Sequence, residues 1–149
     1  MRWPHAGEPP MAPVIPVVRL EPGVSLNGLA PGGIRILARV DDATKIIQQD
    51  IVITSGTDRH TRGRHPKGEA LDLRTKDYDI PTIVKLLRFL TDTLGPRFTA
   101  LYEVPMPSSD LMLRRVETVN PAATGPHIHV QVTKGTTYPP DDAGDDLHA

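Results

Sequence analysis

The chain contains no cysteine. That removes disulfides and thiolate metal ligation together, so any metal held here is held by histidines and carboxylates. The absence fits the cytosol, and it fits equally an exported enzyme that needs no staples. Aromatic residues are scarce at 4%, which leaves Ile, Leu and Val to build a core. Excess positive charge is also missing. The formal net charge is -1, whereas a protein that grips nucleic acid by bulk electrostatics needs a basic surplus. No nucleic-acid partner is expected, and the local cluster Arg59, Arg62, Arg64 and Lys67 needs another explanation. No apolar run approaches the roughly 18 residues of a membrane-crossing helix, so no membrane partner is expected either. The opening "MRWPHAGEPPMAPVIPVVRL" has too many prolines and no continuous apolar centre for a secretory signal. The expectation is a product made soluble, carried to any extracellular substrate by another route.

What is present suits one domain with a single core. The length is 149 residues, with 38% apolar and 23% charged, a globular rather than disordered balance. Sixteen prolines gather at the two ends and in one long loop. Residues 1–24 read as a proline-rich, extended arm laid along the surface, 25–139 as the folded unit, and 140–149 as a flexible acidic tail.

Within the unit, "GGIRILARVDDATKII" carries apolar residues near helical spacing and predicts a helix over 32–47. "DIVITSG" is a short β-branched strand closed by a glycine. Residues 57–68 form a polar, basic loop, and "EALDLRT" then alternates as a strand. The clearest helix is "DIPTIVKLLRFLTDTLG", with Asp79 as cap, Pro81 in the first turn, Gly95 as stop and a stripe of Ile83, Leu86, Leu87, Leu90 and Leu94. "FTALYEVP" is a strand, residues 106–126 a long loop, and "HIHVQV" a last, strictly alternating strand. The fold class expected is α+β: a small, mostly antiparallel sheet, helices packed on its apolar face, the other face open.

Alternation decides which side chains share that open face. Ile128, Val130 and Val132 point to the helices, so His127, His129 and Gln131 point away; Asp72 does the same, and so does Glu103 with Thr99 and Leu101. His65 stands in the loop feeding the Asp72 strand and can fold back over it. Two imidazoles and a carboxylate are donors that zinc accepts, with a fourth position left for water. Taken singly, the motifs are weak. A lone His–Asp pair is ordinarily a surface pair worth little, and alternating histidines also occur on exposed strands. Their coincidence on one polar sheet face raises a metal site above those readings.

"SGTDRHTRGRHPKGEALDLRT" followed by "HIHVQV" resembles the zinc peptidases of the lysostaphin, D-Ala-D-Ala carboxypeptidase and hedgehog-type fold, and most nearly the M15-type peptidases, which include phage and bacterial murein endopeptidases. The shared pattern is H-x6-D with a later H-x-H, here His65, Asp72, His127 and His129, with Gly68 and Ala70 matching H-x-x-G-x-A-x-D. The resemblance spans roughly residues 30–133. It implies that His65, Asp72 and His129 ligate zinc, while His127 sits beside the metal to stabilise or shuttle charge. Two positions depart from the pattern. Pro126 stands three before the last ligand, where many relatives carry an acid, and Gly63 replaces a serine two before the first. The proton carrier must then come from elsewhere, and Glu103 is the candidate, ahead of Glu117 and Glu69. His60, Arg62 and Arg64 are candidate substrate-binding residues, since guanidinium suits a substrate carboxylate. Ser55 is expected to end its strand through a local backbone hydrogen bond.

The function expected is a zinc peptidase, of D,D-carboxypeptidase or murein endopeptidase type, acting on peptidoglycan stem peptides. The alternative is a zinc-holding module of the same fold without catalysis, which the missing acid at Pro126 motivates.

Overall fold

A computed structural model describes residues 14–57 and 63–140. Its elements run β1 (Val18–Leu20), α1 (Pro31–Ile47), β2 (Ile51–Ser55), β3 (Ala70–Arg74), α2 (Ile80–Leu94), β4 (Phe98–Val104), α3 (Leu111–Arg114), β5 (Glu117–Val119) and β6 (His127–Val132). Both long helices begin as their sequences dictate. Pro31 opens α1, and the Asp79 carboxylate accepts from Thr82 N at 2.9 Å at the start of α2. An N-cap oxygen satisfies one of the amides that a helix start leaves without a partner.

The six strands form one sheet in the order β1-β2-β3-β6-β4-β5. Its centre, β2-β3-β6-β4, is antiparallel. The two outer strands, β1 on β2 and β5 on β4, pair parallel. The sheet is therefore mixed, and larger than the small, mostly antiparallel one expected. The added strands account for the difference. β1 lies inside the segment read as an arm, and β5, with the single turn α3, lies inside the stretch read as one loop. Three-residue edge strands with mostly exposed side chains show no alternation, so periodicity had nothing to register.

The core sits between the helices and one sheet face. Ile36, Val40 and Ala43 from α1 meet Leu86 and Leu90 from α2 over Ile51, Ile53, Leu71, Leu73, Ile128, Val130 and Val132. All of these side chains are fully enclosed, at 0% exposure, which is the burial that stabilises the fold. No helix among the described residues is long and apolar enough to cross a membrane.

Register then fixes the opposite face. Asp72 pairs with His129, which pairs with Leu101; Arg74 pairs with His127, which pairs with Glu103; Ala70 pairs with Gln131, which pairs with Thr99. Three central strands thus set three rows of side chains, with neighbouring strands roughly 4.8 Å apart.

Candidate metal centre

The site grows from the middle row. Asp72 enters from β3 and His129 from β6, directly opposite each other. His129 Nδ1 lies 2.7 Å from Asp72 Oδ1. His65 comes from the loop before β3, with Nε2 at 3.3 Å from the same oxygen. His65 and Asp72 are 5% and 8% exposed. One ligand atom from each of His65, Asp72 and His129 can be chosen so that all three lie within 4.8 Å of one another.

The His65 loop is seated by close backbone approaches. Gly68 N donates to His65 O at 2.9 Å, and Ala30 N donates to Gly68 O at 3.1 Å. Gly68 has φ +73°, and a Cβ there would stand 2.3 Å from Gly28 O and 2.5 Å from Ala30 N. Gly56, after β2, is as confined: its Cβ would stand 2.2 Å from Ser25 O. Thr57 closes the brace, donating from N to Ser25 O at 3.0 Å and from Oγ1 to Asn27 O at 2.7 Å. Residues 25–30 therefore hold both described ends of the connection between β2 and β3. That role was invisible in "SLNGLA", whose only signal is a turn-forming Asn-Gly.

The donor set fits a metal ion. Gly56 O, an acceptor, lies 2.9 Å from His65 Nδ1, so Nδ1 carries a proton and Nε2 is the nitrogen turned toward Asp72. A lone pair held against a carboxylate oxygen is repulsive unless a cation, proton or metal, lies between them. Burial alone would push the Asp72 carboxyl up, yet hydrogen bonds from His129 and then His65 hold it well below the usual carboxylate range. Burial likewise disfavours charge on His129, and the bond to Asp72 overcomes this and raises its pKa. Two imidazoles and one carboxylate facing a common point are what zinc uses at sites that keep an open position.

A second pair stands in the next row. His127 Nδ1 lies 3.1 Å from Gly125 O, and its Nε2 lies 3.1 Å from Glu103 Oε1. The same Nε2 is 3.9 Å from Asp72 Oδ1. Glu103 is held from behind, its Oε2 accepting from Asn120 Nδ2 at 3.2 Å. Asn120 is itself tied to the sheet through its N to Val104 O at 2.8 Å. All of these groups line one open cleft, walled by the small residues Ala122 to Pro126.

Glu117, Glu69 and Arg64 have partners of their own, and of these Arg64 also lines the cleft. Glu117 pairs in register with core-facing Tyr102 rather than with Glu103, and its carboxylate accepts from Ser108 N at 3.1 Å. Glu69 pairs with Arg64 at 2.8 Å. Arg64, expected to bind substrate, also reaches Thr133 O and Thr136 O at 3.3 and 3.4 Å. Its guanidinium ties the loop to the segment after β6, a structural job that the basic composition of the loop did not reveal. His60 and Arg62 lie outside the described residues. Ser55 departs from its expectation. A register shift between Ile53 and Ser55 turns it to face Asp72, as a β-bulge re-aims a side chain, and its buried Oγ has no hydrogen-bond partner among the described residues.

No family model matches the chain, and no curated protein or solved structure matches it.

Proposed function

We propose that this chain is a zinc-dependent peptidase of the M15 type that hydrolyses a peptide bond in peptidoglycan stem peptides. One observation carries the reading: three metal donors and a separate carboxylate–imidazole pair share a cleft, with His127 Nε2 3.9 Å from the Asp72 oxygen and 3.1 Å from Glu103. The peptide class follows from the resemblance of "HPKGEALDLRT" and "HIHVQV" to those enzymes.

His65, Asp72 and His129 would hold the metal. Bound zinc supplies Lewis acidity, polarising a carbonyl and making water ionise near neutral pH. The protein's own residues handle the proton. Glu103 presents Oε1 to the cleft while Asn120 holds Oε2, so Oε1 is the atom that takes a proton from water and returns it to the leaving amine. His127, anchored through Nδ1 on Gly125 O, offers Nε2–H to the oxyanion that forms at the scissile carbonyl. Glu103 thereby fills the role left vacant by Pro126, from a neighbouring strand instead of the same one.

Zinc content and hydrolysis of peptidoglycan fragments, measured on the same preparations, test this. His129→Ala should lose both. Glu103→Gln should keep zinc and lose about 10²–10⁴-fold in rate. Hydrolysis that survives His129→Ala overturns the proposal. A zinc-loaded wild type inert toward these fragments favours the non-catalytic module, the reading that Pro126 suggests.

A further inference from the structure

We infer that Gln131 is a positioning residue for the metal centre: its side-chain oxygen sets the His129 ring so that Nδ1, not Nε2, stands beside Asp72. The inference rests on His65, Asp72 and His129 being metal ligands.

An imidazole can offer either nitrogen, and which one it offers is decided by the hydrogen bond the other makes. His129 Nε2 lies 2.7 Å from Gln131 Oε1. A carboxamide oxygen only accepts, so this bond exists only while Nε2 carries a proton, which leaves Nδ1 as the coordinating atom. The two residues are on one strand, two positions apart and on one face, so the strand itself sets their separation.

Among the described residues, the register neighbours of Gln131 on the sheet, Ala70 and Thr99, do not compete for its amide. Ala70 has no polar side-chain atom, and Thr99 Oγ1 is paired with Thr133 Oγ1 at 2.9 Å. The contrast with His65 is informative. There the outer partner is a backbone carbonyl, Gly56 O, which no side-chain substitution removes. At His129 the same job falls to a side chain, so ligand orientation can be altered by one mutation without touching a ligand. Outer hydrogen bonds of this kind are ordinarily worth about 10–100-fold in metal affinity, and a carboxylate in that place increases ligand basicity.

The test uses the full chain as wild type, Gln131→Leu and Gln131→Glu. Zinc affinity is read by competition with a chromophoric chelator, and the His129 ring by ¹⁵N–¹H NMR with and without zinc. Unfolding midpoints of the metal-free proteins confirm that each variant is folded. Gln131→Leu should bind zinc about 10–100-fold more weakly, and Gln131→Glu at least as tightly as wild type. The wild type should show a protected Hε2 on His129 even without metal, and Gln131→Leu should lose it. Unchanged zinc affinity in folded Gln131→Leu overturns the inference, as does an unprotected Hε2 in the metal-free wild type. A wild type that takes up no zinc but keeps the protected Hε2 upholds the hold of Gln131 on the ring and removes the metal reading instead.

Discussion

Gly68 shows how a single position can govern a site it does not belong to. It lies three residues after His65, with φ +73° and space for hydrogen alone against Gly28 O and Ala30 N. Gly68→Ala would force a side chain into the left-handed region and into backbone atoms that cannot swing aside. The expected result is a loss of more than about 1 kcal/mol in denaturant unfolding, with weaker zinc uptake, because the segment that displaces the methyl group carries His65. Unchanged zinc uptake would mean that the loop does not depend on this packing. The residue scale was also where the sequence was most legible. Asp72 and His129 could be placed on one face because alternation in "EALDLRT" and "HIHVQV" is strict, Glu103 followed from the same rule on β4, and His65 was reached only as a loop residue able to fold back over the Asp72 strand. Alternation failed at Ser55, where a register shift moves the side chain to the other face and no local pattern announces it.

At the scale of elements, what was missed shares a physical cause. β1, α3 and β5 are three or four residues long, too short for any period to show, and they are held by partners distant in sequence. β1 is the instructive case. Val17 O accepts from Ile51 N at 3.2 Å, and Glu21 N donates to Ile53 O at 3.0 Å, so the strand is bracketed by bonds to β2. At its end Glu21 pairs with Arg74 at 3.1 Å, and Arg74 is the register partner of His127. A chain begun at Pro22 would lose this ladder and leave the edge of β2 open. At about 1 kcal/mol net per hydrogen bond, it should be less stable by ~2–4 kcal/mol and more prone to associate through the bared edge. Residues 25–30 would remain to brace the His65 loop, so zinc affinity should stay near that of the full chain. Urea unfolding, light scattering and chelator competition on the two lengths measure these effects. A large fall in zinc affinity would show instead that β1 supports the site directly.

Across the whole molecule, the apolar core and the candidate metal centre occupy opposite faces of one sheet. Leu90, at 0% exposure, belongs to the helix side, while His129 faces the cleft. A metal at the site would then add to a fold that exists without it, unlike a zinc finger, whose core is the metal. The metal-free protein should unfold cooperatively, and zinc at about a hundred times its dissociation constant should add ~2.7 kcal/mol. Leu90→Ala should lower both forms by the same amount, ~2–5 kcal/mol for an enclosed leucine, and leave the zinc increment unchanged, since distant sites add. His129→Ala should abolish the increment. Calorimetry of the wild type, each variant and the double variant, in chelator and in zinc, separates the two faces. A zinc increment that shrinks in Leu90→Ala would couple core to site through the sheet. Absence of a cooperative transition in chelator would mean that the helices and sheet do not hold the fold without the ion.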